Sequence, residues 1–141
     1  MTTPSEGPVG TSPDGIISRR SPWSVPDTVT RIVSALEAGG VKLFAAIDHS
    51  GEAALAGLTL RDTKLLVFGN PAAGTPLMQE KPLIALDLPL KILVWQDDDS
   101  EVWMTHFAGP WLAKRYGIDT NLANVLSAVD VLVGHVASSP S

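Results

Sequence analysis

The chain has 141 residues, of which 45% are apolar and 18% are charged, and it contains no cysteine. A chain of this length and composition can bury one ordinary globular core without disulfide bonds or structural zinc sites. The lack of cysteine excludes thiol catalysis, disulfide frameworks and cysteine-based zinc sites. Ten basic residues against fifteen acidic ones give a net charge of −5, the wrong sign for a protein that neutralises phosphates. We therefore expect no nucleic acid partner.

The two ends of the sequence are predicted to lie outside the folded core. Residues 1–14 hold three prolines, two glycines and scattered Ser and Thr, which predicts a flexible arm, and residues 138–141 predict a flexible tail. Residues 15–137 are expected to form a single domain. The sequence has neither a secretory signal nor an unbroken apolar run of about 20 residues. It therefore predicts a cytoplasmic protein that does not contact a membrane.

The first half of the domain alternates between strand and helix patterns. Ser24 followed by Asp27 resembles a capping box, and it opens a helix whose apolar stripe ends before Gly39. The predicted strands of this half cover residues 15–20, near a sheet edge, 42–47 and 64–68, and a short alanine-rich helix covers 50–58. This alternation favours strands connected through helices.

The second half combines a hairpin with further helices. Asn70 and Pro71 are typical of the cap and the first residue of a helix, here predicted over 72–82. The acidic segment 97–101 separates two apolar strands and predicts a solvated hairpin turn, which makes Trp95 and Trp103 cross-strand neighbours. The strands of the hairpin cover 92–96 and 102–107, and helices are predicted over 110–116 and, as one long core-facing helix, over 121–136.

Strand–helix alternation followed by a hairpin is typical of the α+β class. We predict a single two-layer domain, with a mixed β-sheet of about five strands and helices packed over it.

Four segments of the sequence resemble the DUF302 family of small bacterial proteins, which has the TT1751-like fold. The segments are Ile47-Asp48-His49 before the alanine-rich helix, Leu65–Pro71, Gly74–Met78 and Ala85–Lys91. The resemblance runs from about Gly15 to Val136. It implies a compact α/β domain that often forms a homodimer, and it implies no established enzymatic activity.

Two of these segments lie where a predicted strand ends. Asp48 and His49 could serve acid–base chemistry, although Asp48 could equally cap the next helix while His49 bonds the backbone. The segment Gly69-Asn70-Pro71 could contribute to a ligand pocket, or it could be a plain turn and helix cap. Because ligands of α/β sheets bind at the carboxyl ends of strands, we expect these two segments and Phe68 to share one pocket.

Asp87 lies in an apolar stretch, and a carboxylate there needs a partner. Lys91 is one candidate partner. A second possibility is a carboxylate–imidazole pair with His49.

The three histidines, His49, His106 and His135, form no metal-binding motif, and no nucleotide-binding or nucleophile motif occurs in the sequence. We therefore expect no metal and no cofactor.

The sequence predicts a non-catalytic small-ligand-binding or regulatory homodimer. The expected ligand-binding residues are Asp48, His49, Phe68, Gly69, Asn70 and Asp87. The alternative is a cofactor-free enzyme in which His49 moves a proton with the help of Asp48 or Asp87.

Overall fold

The computed structural model describes residues 13–138 and contains one five-stranded sheet covered by helices. The predicted flexible arm and tail lie outside the described residues, apart from residues 13, 14 and 138. The strands are β1 (Ile16–Ser21), β2 (Lys42–Asp48), β3 (Thr63–Gly69), β4 (Leu90–Gln96) and β5 (Val102–Phe107). The helices are α1 (Val25–Ala38), α2 (His49–Leu55), α3 (Pro71–Glu80), α4 (Gly109–Tyr116), α5 (Thr120–Leu126) and α6 (Ala128–Ala137), and a 3-10 turn covers Pro82–Leu86.

The strand order is β1-β5-β4-β3-β2, and all four pairings are antiparallel. The α+β class and the five strands are confirmed, but the expectation of a mixed sheet is wrong. A parallel pair needs a connection that returns the chain to the end where the first strand began. Here the chain leaves β3 at Gly69 and re-enters β4 at Leu90, beside Phe68, so the helical connection turns back at one end of the sheet.

One face of the sheet forms the core with the helices. Its side chains alternate along the strands, as the period of two requires, and they are almost completely buried. They include Leu66, Phe68, Ile92, Val94 and Met104, none more than 3% exposed. The opposite face is only partly buried in its middle strands, so the domain has two layers.

Two helix starts follow from single side chains. The Ser24 hydroxyl accepts a hydrogen bond from the Asp27 amide at 3.2 Å, and the Asn70 side-chain oxygen accepts one from the Ala72 amide at 3.0 Å. Each bond satisfies one backbone donor that the first helical turn leaves unpaired. Both predicted caps are confirmed, as is proline in the first turn of α1 and α3.

The long C-terminal helix is interrupted, contrary to the prediction of one helix. Ser127 separates α5 from α6, and the Asp130 amide bonds back to the Ser127 carbonyl at 3.1 Å. Gly109, the first residue of α4, lies so close that a methyl group there would be 2.5 Å from the Ser127 Cα atom. The apolar period runs through the break because both helices turn the same side to the core, so the sequence pattern could not reveal it.

The stretch Thr120–Ala137 is long and apolar enough, by length and composition, to cross a membrane, among the residues described. In the fold, its residues Leu126, Val129, Val133 and Val136 are at most 1% exposed and belong to the hydrophobic core. Only 22% of the stretch is buried, and a single stretch of this kind is weak evidence for a membrane span.

The hairpin is confirmed, and Trp95 pairs with Trp103 across it. The expectation of a merely solvated turn is wrong at Asp97, which is only 4% exposed. Its carboxylate accepts hydrogen bonds from the Trp103 indole at 2.8 Å and from the amides of Asp99 and Glu101 at 2.9 Å each. Burial raises the pKa of Asp97, but these hydrogen bonds outweigh it and hold the pKa below 3.8.

Candidate functional site

The structure separates the two segments, Asp48-His49 and Gly69-Asn70-Pro71, that were expected to share a pocket. Because β2 and β3 are antiparallel, Asp48 pairs with Lys64 at the start of β3, whereas Gly69 pairs with Lys42. Seven-residue strands place these two ends of the sheet roughly 20 Å apart. The prediction of one pocket containing Asp48, His49 and Asn70 is therefore wrong. It assumed that the carboxyl ends of neighbouring strands meet, which is true only of parallel strands.

Asp48 is the cap of helix α2. One of its carboxylate oxygens accepts hydrogen bonds from the Ser50 hydroxyl at 2.7 Å, the Gly51 amide at 2.9 Å and the Lys64 ammonium at 3.1 Å. These bonds lower the pKa of Asp48 from 3.8 to about 2. A carboxylate this acidic is a poor proton acceptor at neutral pH. His49, the next residue, is exposed on the first turn of α2.

Asp87 lies at the other end of the sheet from His49, just before β4. It accepts a hydrogen bond from the Tyr116 hydroxyl and forms an ion pair with Arg115 at 3.5 Å. The hydrogen bond to Asp87 raises the pKa of Tyr116 above its ordinary value. Neither sequence-based partner is observed, because Lys91 donates to the Pro89 carbonyl at 3.1 Å and His49 is far away.

The end of the sheet that holds Gly69 and Asn70 carries two apolar cavities. The first has a volume of about 310 Å³ and lies between the sheet end, α3 and the Leu88–Leu90 segment. The second has a volume of about 370 Å³ and lies between the sheet end, α1 and α6. Both are lined by Gly69, Asn70 and Leu90. We name the two cavities together the Asn70 cleft.

Three of the six predicted ligand-binding residues line the Asn70 cleft, namely Phe68, Gly69 and Asn70. The other walls come from residues that sequence reasoning missed. They include Phe44, Met78 and Leu88 in the first cavity and Leu36, Leu132 and His135 in the second. These residues belong to ordinary apolar helix and strand patterns, with the exception of His135, so no local signal marks them as cavity walls.

Asn70 supplies a polar group where the two cavities meet. Its side-chain oxygen caps α3, but its side-chain nitrogen donates to no residue among those described. An amide has two N–H donors, and Asn70 is exposed, so both remain open to a ligand. The cleft thus combines apolar walls with one hydrogen-bond donor.

The residues described contain no group of three or more His, Asp or Glu side chains placed to hold a metal. His106, the one buried histidine among them, has its Nδ1 atom 2.9 Å from the Phe107 carbonyl oxygen.

Comparison with known proteins identifies the family. Residues 17–134 match the family described as "Domain of unknown function DUF302". The chain belongs to the DUF302 family. A DUF302 protein from Bacillus stearothermophilus has a similar crystal structure, with a TM-score of 0.72 over 87% of this chain and 95% of that one. Its sequence identity is 15%, so this likeness shows the shared fold alone.

Longer relatives carry a different name. The DUF302 chain is 40% identical over 104 residues to the protein called "Fluoride-specific ion channel FluC 1" of Brucella suis and to that of Brucella abortus. The match covers 74% of this chain but only 41% and 38% of those proteins. Most of each relative therefore lies outside the part that this chain resembles.

Proposed function

We propose that this DUF302 protein is a non-catalytic regulatory domain that works as a homodimer and binds a small apolar molecule in the Asn70 cleft. One observation carries the proposal: two apolar cavities meet at an amide donor that bonds no other described residue. Small-molecule sites are commonly concave and apolar, with a few polar groups that fix the orientation of the ligand.

The chemistry of the walls selects the class of ligand. Apolar side chains favour a short acyl chain or an aromatic ring, because burying either removes apolar surface from water. The Asn70 amide favours a hydrogen-bond acceptor at the end of that group, such as a carbonyl or a carboxylate. The cavity volumes fall at the lower end of the range for small-molecule sites, roughly 300–1,000 Å³.

The longer relatives suggest that such a domain regulates the protein that contains it. We propose that the part of the Brucella proteins that resembles this chain is a regulatory module rather than the ion pathway. This is supported by the use of its apolar surface, since the inward sides of α1 and α6 pack against the sheet to form a core. For the present chain, we propose that the module acts in the cytoplasm.

Octanoate is a suitable probe, since it has an acyl chain and a carboxylate. Gly74 lines the first cavity, and a Cβ atom added there meets nothing within 4 Å. A Cβ atom therefore has free space there, and we expect Gly74→Leu to add apolar bulk at the cavity wall, with Gly74→Ala as the matched control that changes helix propensity with little added bulk. We expect octanoate to shift the amide NMR signals of Gly69 and Asn70 in the natural protein and in Gly74→Ala.

In Gly74→Leu we expect the affinity for octanoate to fall about tenfold or more. Asn70→Ser keeps the helix cap but removes the amide donors, and we expect it to weaken binding about threefold to tenfold. Equal binding by Gly74→Leu and Gly74→Ala, or shifts confined to residues outside the cleft, would show that the Asn70 cleft is not the ligand site.

A further inference from the structure

Strand β2 forms an edge of the sheet with apolar residues open to solvent. In the described part of the chain it pairs only with β3, and six of its seven residues are exposed. Leu43, Phe44 and Ile47 are 36%, 44% and 38% exposed. The outer side of an edge strand also presents backbone N–H and C=O groups that another strand can pair with. β2 therefore offers both backbone and apolar side chains to a partner.

The segment that follows β2 carries further exposed apolar residues. Leu55, Leu58 and Leu60 are 84%, 68% and 47% exposed, and Glu52 is the one charged residue of segment 49–60 at neutral pH. The Ser50 hydroxyl accepts a hydrogen bond from the Thr63 amide at 3.2 Å, which holds α2 against the start of β3, next to the end of β2. We name Leu43, Phe44, Ile47, Leu55, Leu58 and Leu60 the β2 patch. Large contiguous apolar surfaces are typical of interaction sites, and these six exposed side chains are the candidates for one here.

The sequence of β2 lacks two of the features that keep edge strands from pairing, which are proline and charged side chains within the strand. Its pairing with β3 does shift register between Leu43 and Ala45, and a bulge of this kind twists an edge. Between Lys42 and Asp48, β2 contains only Leu, Phe, Ala and Ile. The other edge strand, β1, carries Arg19 and Arg20, and α6 packs against it. Among residues 13–138, the β2 edge is therefore the more open to a further strand.

The charges at the two ends of β2 fit a second copy of the same strand. Lys42 begins the strand and Asp48 ends it. When two copies run antiparallel, Lys42 of each lies near Asp48 of the other, in addition to the Lys64 ammonium that Asp48 already binds at 3.1 Å. Parallel pairing would instead bring like charges together. The strand is therefore complementary to itself in one direction.

We propose that two copies of the chain pair antiparallel through β2 and join their sheets into one continuous sheet, with the β2 patch buried between them. This rests on the homodimer proposed above and is independent of the ligand. Phe44 belongs both to the β2 patch and to the wall of the first cavity. The partner's β2 would then lie beside the first cavity of the Asn70 cleft.

Two matched substitutions test the surface. Ile47 in β2 and Ile16 in β1 are the same residue type, lie in the two edge strands and are 38% and 40% exposed. We expect light scattering in the high micromolar range to give twice the 14.9 kDa chain mass for the natural protein and for Ile16→Lys. Ile47→Lys should raise the dissociation constant of the dimer about tenfold or more, with its thermal unfolding still cooperative.

A cross-link tests the pairing directly. The chain has no cysteine, so a single introduced thiol can react only with its copy in another molecule. Ala45 is the middle residue of β2, and opposite residues of an antiparallel pair lie close enough for a disulfide. Ala45→Cys should form a disulfide-linked dimer under mild oxidation, whereas Ile16→Cys should remain largely without a cross-link.

Several outcomes would overturn the β2 dimer: a natural protein of 14.9 kDa at high concentration, an unchanged dimer in Ile47→Lys, or equal cross-linking of Ala45→Cys and Ile16→Cys. A monomer that sediments with phosphatidylcholine vesicles would assign the β2 patch to a membrane instead. The octanoate measurement is separate. A dimer that does not bind octanoate removes the ligand proposal alone, and a monomer that binds it removes the dimer alone.

Discussion

The two edges of the sheet differ in how strongly the rest of the chain holds them. At β1, the Ser21 hydroxyl bonds the Thr28 hydroxyl of α1 at 2.6 Å, and Ser18 bonds Thr105 of β5 at 2.8 Å. A Cβ atom on Gly134 of α6 would lie 3.4 Å from the Arg19 guanidinium, which shows how closely that helix covers the strand. The β1 edge is thus tied to both layers.

The β2 edge has few such ties. Its contacts to the helical layer are mainly to α1, and almost all of its residues are exposed. Edge regions with little buried apolar surface open more readily than core strands. The comparison indicates that the helical layer holds the β1 edge more firmly than the β2 edge.

The largest expected effect comes from the glycines that precede the two edge strands. Gly15 and Gly40 both have a positive φ, +81° and +68°, which costs an alanine about 1–2 kcal/mol. At Gly15 a Cβ atom would also lie 2.2 Å from the Trp111 ring, whereas at Gly40 it would meet nothing within 4 Å. Overpacking of this kind costs roughly another 1–3 kcal/mol.

We therefore expect Gly15→Ala to lower the free energy of unfolding in urea by about 3 kcal/mol and Gly40→Ala by about 1 kcal/mol. In a Trp111→Ala background, the cost of Gly15→Ala should fall to that of Gly40→Ala, since only the backbone term remains. Equal losses for the two glycines in the natural background would contradict the view that β1 is the firmly anchored edge.

A smaller effect is expected from two carboxylates, one near each edge. Asp97 is buried beside β5, and Asp48 is exposed at the end of β2, and both have a pKa below 3.8 in the folded state. The unfolded chain therefore takes up protons first as the pH falls. The stability that these groups contribute is present above their unfolded pKa and is lost below it, for Asp48 between pH 3.8 and about 2.

We expect Asp97→Asn to lower the urea midpoint at neutral pH more than Asp48→Asn, because Asp97 satisfies three donors from a buried position. Both variants should lose less of their remaining stability on acidification than the natural protein loses. The measurement is the urea midpoint at neutral pH and at several lower values. A larger loss for Asp48→Asn would place the more important carboxylate at the β2 edge.

In this protein, local structure can be predicted well from the sequence. Helices α1 and α3 follow from Ser24, Asn70 and the prolines behind them, because a cap acts within one helical turn. The hairpin follows from two apolar strands around an acidic segment. The break at Ser127 is not predictable in this way, since it coincides with the close approach of Gly109 from another helix, which no local pattern contains.

The candidate site shows in the same way that features set by distant parts of the chain cannot be predicted from a local pattern. Gly69 and Asn70 could be picked out because a strand meets a helix there, and they do line the Asn70 cleft. Asp48 and His49 have the same local pattern, yet the strand direction places them at the opposite end of the sheet. Strand direction is set by the packing of the whole sheet, so a pattern within one strand does not contain it.

The smallest expected effect concerns the backbone amides of the two edges. In the Ile47→Lys monomer we expect the free energy of unfolding to change by no more than about 0.5 kcal/mol, because the side chain is partly exposed. Amides on the outer side of β2 should then exchange with solvent faster than the amides of β1. In the natural protein, pairing through β2 would give those outer amides a hydrogen-bond partner and slow their exchange.

Hydrogen exchange followed by NMR at two protein concentrations can detect this. Raising the concentration should slow exchange in β2 of the natural protein, leave β1 unchanged, and change neither edge in Ile47→Lys. The alternation along the strand gives an internal control, since the amides that point toward β3 are bonded in monomer and dimer alike. Slower exchange in both edges, or in all amides of β2 equally, would indicate general stabilisation rather than a strand added at one edge.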